Sequence, residues 1–404
     1  MNEIRLLSLK SIEDIKEEIF RIGADEQCID TLSSKGKFFI FKISNLRPAS
    51  CNIIKQTALS SGTDAAVHRD VVTGKIERSN MLLFGTKKEI TRVAEKLKGQ
   101  PFGLDIVSKN LIEGINRQKA NRYLKTAKRE LNIANKVLIM GALNVTPDSF
   151  SDGGKFLTQK NAVKRALEME KEGADIIDIG GESSRPGSEP VTVDEELKRV
   201  IPVLNELNGR LKIPISIDTY KSKVAEKAMD SGAEIVNDIS SLRFDERMMD
   251  IVSQRKPGLI IMHMKGKPKT MQDNPSYKDT IQEIYDFLKE RTDYALSNGL
   301  ERERIIIDPG IGFGKRQEDN LEILYRAAEF TSLGYLLLIG ASRKSFIGRA
   351  LNVPVEERLE GSLAACGIAM EEGVNIIRVH DVKSTRKFVD MYMAIKQRDN
   401  GAPG

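Results

Sequence analysis

From residue 137 onward, short runs rich in Ile, Val and Leu alternate with stretches whose apolar positions recur at helical spacing. The apolar runs cover 137–143, 175–179, 213–218, 234–239, 259–263, 304–308, 336–340 and 376–380. Runs this short and this continuously apolar suit strands buried on both faces rather than helices. Between them, 159–172, 193–207, 221–230, 280–296, 321–330 and 360–372 read as amphipathic helices. Eight strand-helix units in about 260 residues predict an α/β fold of the (β/α)8 TIM-barrel type over 137–397. An open doubly wound sheet is the other arrangement, and no dinucleotide fingerprint recommends it.

The pattern before residue 117 differs. Strand-like runs at 37–43 and 81–84 and helical stretches at 11–22 and 87–98 predict a smaller α/β domain over 1–116. It holds no glycine-rich phosphate loop, metal-ligand spacing or nucleophile signature, and Arg47-Pro48 reads as a turn. Residues 117–136 are basic and helix-favouring, which predicts a solvated linker helix with Tyr123, Leu124 and Leu131 docked on the barrel; a nucleic-acid arm is the other reading. The last residues, 398–404, are expected to be a flexible tail.

Composition narrows the classes. A net charge of +5 over 404 residues gives no support to nucleic-acid or membrane binding. No run approaches the length of a membrane span, and residues 1–9 lack a signal-peptide core, so the cytoplasm is the expected compartment. Three cysteines and three histidines, all widely spaced, argue against a disulfide framework and against a zinc site.

Barrels of this class carry their chemistry where strands end, at the C-terminal face, so polar residues should gather there. They do. The eight runs lead in turn into Asn144, Gly180 to Gly187, Asp218-Thr219, Asn237-Asp238, His263 to Gly266, Asp308-Pro309-Gly310, Ser342 to Ser345, and Arg378 to Asp381. Helix capping accounts for one or two such residues and not for all eight. The polar loop after the first run, GALNVTPDSFSDGG at 141–154, is too rich in hydrogen-bonding side chains to be a plain connection.

The segments NVTPDSFSDGG, GGESSRPG, SIDT, NDIS, DPGIGFGK, SRKS and RVHD occur in that order. In this the chain resembles the dihydropteroate synthases, from about residue 137 to the last helix; residues 1–116 lie outside the resemblance. The family joins 6-hydroxymethyl-7,8-dihydropterin diphosphate to 4-aminobenzoate, giving 7,8-dihydropteroate and diphosphate. The resemblance implies that Asp218, Asn237, Asp308 and Lys344 bind the pterin, with Phe313 and Lys315 lining the site; Met262, from its residue type and place at the fifth run, reads as packing on the ring. The resemblance assigns Ser345 to the aminobenzoate carboxylate, with Arg343 as a neighbour of that pocket, and Arg378 and His380 to the phosphates. Asn144 becomes the ligand to Mg2+. Asp152 and Arg185 pair across two mobile loops, while Phe150, Ser184 and Pro186 shape the aminobenzoate pocket. A homodimer is the family expectation.

The residue types suit that chemistry on their own terms. A carboxylate accepts two parallel hydrogen bonds from an amino and a ring N–H group, so Asp308, Asp218 and Asn237 fit the flat edge of a pterin. Arg378 and His380 lie two apart on a strand and face the same way, and an arginine buried there calls for an anion. GIGFGK at 310–315 matches neither nucleotide-loop pattern and reads as a flexible turn against the ligand; His263 reads as structural. Ser184 stands where threonine is usual in the family. Two alternatives share part of the pattern: a pterin-dependent methyltransferase barrel, which has no need of SRKS or the Arg378/His380 pair, and a non-catalytic pterin-binding protein, which has no need of the loops.

Overall fold

The structure, a computed structural model, describes residues 3–9, 11–116, 123–134, 136–146, 155–183 and 187–397. The tail expected at 398–404 lies outside them. Contacts divide the chain into two compact units, Met1–Lys119 and Ala120–Gly404.

The first unit carries a three-stranded antiparallel sheet of β1 (Phe38–Leu46), β2 (Ala65–Val67) and β3 (Ser79–Thr86), ordered β1-β3-β2. Helices Pro48–Leu59, Lys87–Leu97 and Leu104–Asn116 bury Cys51, Ile54, Ile90, Val93, Leu97 and Leu111 in its core. A reciprocal cap starts the second helix, Thr86 taking the Glu89 N–H while the Glu89 carboxylate takes that of Thr86. Arg47-Pro48 is a helix start rather than a plain turn, because proline in the first helical turn forfeits only an N–H that has no intrahelical partner.

In the second unit, residues expected to form a linker helix form a hairpin of β4 (Tyr123–Lys125) and β5 (Glu130–Asn132) instead. Tertiary burial overrides helix propensity here. The hairpin buries Leu124 completely, together with Ile133, among Leu138, Met140, Ile176, Ile235, Ile260, Ile306 and Ile376 at the N-terminal mouth of the barrel. Its basic charge is matched within the fold: Arg129 Nε and Nη2 reach Glu234 at 3.0 and 2.6 Å, and Lys125 reaches Glu301 at 2.8 Å.

The remaining strands are β6 (Leu138–Asn144), β7 (Ile176–Gly180), β8 (Ile215–Asp218), β9 (Ile235–Asp238), β10 (Gly258–Met262), β11 (Ile305–Asp308), β12 (Leu336–Ile339) and β13 (Ile376–Val379). All pair in parallel, and β13 pairs with β6 to close the barrel. The expected TIM barrel is present, with strand bounds within two residues of those read from the sequence. Register then builds the site. Asn144 lies opposite Gly180, Gly180 opposite Asp218 and Asp218 opposite Asn237, one level across four adjacent strands. Met262 lies opposite Asp308 on the far wall. Below this level the interior is the apolar plug that Leu124 completes.

Candidate active site

At the C-terminal mouth, strand alternation turns Asp178, Asp218, Asn237 and Arg378 toward one another. Arg378 Nε donates to Asp178 Oδ2 at 2.6 Å and its Nη2 to Asp218 Oδ2 at 3.0 Å. Asn237 Nδ2 donates to the same Asp178 oxygen at 3.0 Å. Asp178 is wholly buried, and its Oδ1 has no hydrogen-bond partner. The anion that a buried arginine calls for is thus supplied by the chain's own carboxylates. Burial and the charge of Asp178 push the Asp218 carboxyl up to about 7, Arg378 opposing. The neighbouring Asp238 points the other way and accepts the N–H groups of Ser240 and Leu242, both at 2.7 Å, which makes it a turn cap and not a site residue.

Asp308 sits across the mouth, buried, with one oxygen held by the Gly310 N–H at 2.7 Å. Burial raises its proton affinity, while Lys344 lowers it. Lys344 extends toward this group, its ammonium bonded to the Ile311 carbonyl and 4.7 Å from the centre of the Phe313 ring. Burial lowers the Lys344 ammonium to about 8. The Arg378 and Lys344 side chains both pass close to Gly340, where a Cβ would lie in ordinary contact, 3.6 Å from Arg378 Cβ and 3.9 Å from Lys344 Nζ. Met262 packs with Ile239, Met264, Met271, Tyr220 and Phe313 into a polarizable apolar wall beside the carboxylates.

The glycines of GIGFGK act through close packing, not flexibility. A Cβ at Gly310, where φ is +70°, would collide with the His263 carbonyl oxygen. Lys315, expected at the ligand, is fully buried, with its Nζ 2.9 Å from His263 Nδ1 and 3.1 Å from the Phe313 carbonyl. His263 in turn stands edge-on to Phe287 at 4.9 Å, in keeping with a structural role.

On the last two strands, His380 is tied through its N–H and Nδ1 to Ser342 Oγ, each at 3.3 Å. Ser345 is exposed at the start of helix Ser345–Leu351. Asn144 is partly exposed, and a Cβ at Gly180 would lie 3.7 Å from both Asn144 Oδ1 and Asp218 Oδ2, so these two oxygens border one gap. Phe150, Asp152, Ser184, Arg185 and Pro186 lie outside the described residues.

Sequence reasoning passed over Asp178 because it sits inside the apolar run Ile176–Ile179. Its signal was there: an aspartate at an inward position of a barrel strand, two residues before the strand end. It also passed over the group behind the second loop, where Glu182 accepts from Tyr220 Oη at 2.8 Å and pairs with Lys221, which also pairs with buried Glu196.

The mouth therefore offers a slot lined by acceptors at Asp218 and Asp308, an amide at Asn237, and cations at Lys344 and Arg378. The sequence model of the family described as "Pterin binding enzyme" matches residues 140–380. The dihydropteroate synthase of Clostridium beijerinckii is 45% identical over 276 residues, 68% of this chain and 100% of that protein. The chain belongs to the dihydropteroate synthases. Among solved structures, the Xanthomonas albilineans dihydropteroate synthase with 4-aminobenzoic acid is 40% identical, with a TM-score of 0.64 over 68% of this chain and 98% of that one. The same organism's enzyme in complex with 7,8-dihydropteroate is 38% identical, with a TM-score of 0.62 over the same shares. Family membership covers the barrel and leaves the first unit without a counterpart in these matches.

Proposed function

We infer that this protein condenses 6-hydroxymethyl-7,8-dihydropterin diphosphate with 4-aminobenzoate, releasing diphosphate and 7,8-dihydropteroate. The observation that carries the reading is the opposition of Asp308 and Lys344 to the Asp218–Asn237 register line across one mouth. A methyltransferase barrel needs no SRKS segment beside such a line.

Asp308 accepts the amino and ring N–H groups of the pterin, Asn237 and Asp218 take the next donors and acceptors along the ring, and Lys344 donates to a ring acceptor. Phe313 and Met262 cover the ring face. Arg378 and His380 donate hydrogen bonds to the diphosphate, and the guanidinium charge of Arg378, shared with Asp178 and Asp218, stabilises it as the C–O bond to the exocyclic methylene lengthens. The electron-rich dihydropterin lets that departure run ahead of attack. The carboxylates of Asp218 and Asp178 stabilise the positive charge left on the ring. A neutral arylamine is nucleophilic without a base, so these residues need only orient it, with Ser345 meeting its carboxylate. Ser184, Pro186 and Phe150 contribute to that pocket, and Asp152 with Arg185 closes it.

Magnesium fits this donor set as a substrate-borne ion. The described residues contain no cluster of three or more His, Cys, Asp or Glu able to cage a metal. Asn144 Oδ1, at the edge of the Gly180 gap, offers the single neutral oxygen that an ion already held by phosphates and water requires. Bound there, magnesium would neutralise charge on the leaving diphosphate.

The protein works as a homodimer in the cytoplasm. Exposed Tyr325, Ile368, Met391 and Ile395 on three barrel helices, Gln317–Tyr325, Leu359–Glu371 and Val382–Lys396, support the pairing. Three free cysteines suit a reducing compartment, and no described helix is long and apolar enough to cross a membrane.

Purified protein supplied with magnesium, the pterin diphosphate and 4-aminobenzoate is expected to release diphosphate in step with dihydropteroate. Absence of product at high enzyme concentration refutes the assignment.

A further inference from the structure

Arg343, between β12 and helix Ser345–Leu351, holds a left-handed backbone with φ +56°. A side chain bearing a Cβ reaches that region only under strain, and such residues persist where their surroundings over-determine them. Here they do. The Arg343 N–H donates to Ser362 Oγ at 2.9 Å, and its carbonyl accepts from Arg358 Nη1 at 3.0 Å. Its guanidinium forms a two-pronged pair with Asp381, Nε to Oδ2 at 2.7 Å and Nη2 to Oδ1 at 2.8 Å, and Nη1 reaches the Val355 carbonyl at 3.1 Å. Two parallel bonds between planar groups fix direction as well as distance. The Asp381 carboxylate also holds the guanidinium charged, above its ordinary range.

The placement of this pair gives it a use. Asp381 directly follows His380, and Arg343 directly precedes Lys344 and Ser345. The pair therefore laces the end of β13, which meets the diphosphate, to the start of the helix that carries Ser345. A shift of that helix start would not affect the two neighbours equally. Lys344 has four methylenes with which to recover its reach, and Ser345 has one rotatable bond.

We propose that Arg343, clamped by Asp381, is a positioning residue that aims Ser345 at the carboxylate of the arylamine and so sets the preference for an acid over a neutral analogue. The proposal rests on the reading above in which Ser345 meets that carboxylate.

The test uses the full chain with magnesium and compares Arg343→Gly, Arg343→Lys, Asp381→Asn and Ser345→Ala with wild type. The readouts are KM for 4-aminobenzoate, the kcat/KM ratio of 4-aminobenzoate to 4-aminobenzamide, and Kd for the pterin diphosphate. Glycine at 343 relieves the backbone while deleting the clamp, so a loss in Arg343→Gly belongs to the side-chain contact. Arg343→Gly and Asp381→Asn are each expected to raise the acid KM by about tenfold and to lower the acid-to-amide ratio, with pterin Kd within about twofold. Arg343→Lys, which keeps the charge and loses the fork, falls between. A wild-type ratio in Arg343→Gly and Asp381→Asn, or equal losses on acid and amide, overturns the proposal. Should Arg343→Gly not fold, the isosteric Asp381→Asn decides alone. Ser345→Ala separates the two layers. If it leaves the acid KM unchanged, the carboxylate reading itself fails; if it raises KM and the clamp variants do not, only the positioning role fails.

Discussion

Arg378 Nε lies 2.6 Å from Oδ2 of Asp178, a carboxylate with no exposed surface. With Asp218 taking a second guanidinium nitrogen at 3.0 Å, the arginine sits between two carboxyl groups before any substrate arrives. Each partner makes the other tolerable in a low-dielectric interior, so removing one is costly and removing both is not.

Arg378→Met is therefore expected to destabilise the barrel by about 3 kcal/mol, through the uncompensated Asp178 it leaves behind. Arg378→Met combined with Asp178→Asn should recover most of that loss in urea unfolding while remaining inactive. A double variant no more stable than the single one would show that the pair is not the source of the cost.

Asp308→Asn keeps an oxygen for the Gly310 N–H and so spares the turn while removing the charge. Loss of one charge-assisted pair predicts about 2 kcal/mol weaker pterin binding, close to thirtyfold, by titration calorimetry. Unchanged affinity would place the ring elsewhere.

The pH profile follows from two groups. Asp218, raised to about 7, accepts hydrogen bonds best when ionised, so kcat/KM for the pterin diphosphate should climb as pH rises through about 7. Lys344, lowered to about 8, loses its charge as pH rises through about 8, so the profile should fall there. In Lys344→Arg the alkaline limb should move out of range while the acid limb stays. Linkage for Asp218 runs the opposite way to activity. Its folded pKa exceeds the usual carboxylate value of about 3.9, the folded state holds the extra proton, and its contribution to stability falls as pH rises from about 4 to about 7. Urea midpoints across that range check the sign.

Leu124→Ala should cost about 3 kcal/mol, because Leu124 is fully buried in the plug at the barrel's N-terminal mouth and a cavity there cannot collapse against a closed wall of strands. Chemical denaturation measures it, and a loss below about 1 kcal/mol would mean the hairpin is only draped over the opening.

Much of this protein was legible from its residues alone. The alternation of apolar runs and amphipathic stretches dictates strand and helix, because each local period can bury its apolar side in only one way. Polar residues at eight strand ends then mark the face that carries the chemistry, and Asp218, Asn237, Asp308, Lys344 and Arg378 do meet there. What pattern could not decide was anything set by contact across the barrel. Residues 123–132 favour helix locally and become a hairpin because Leu124 completes a core built by distant strands. Asp178 hides in an apolar run, and only closure of β13 onto β6 completes the ring of strands across which Arg378 meets it. Lys315 belongs to a site motif, and packing sets its ammonium against His263. Local sequence determines period and direction, and tertiary structure decides which buried charges become neighbours, since that depends on register between strands far apart in the chain.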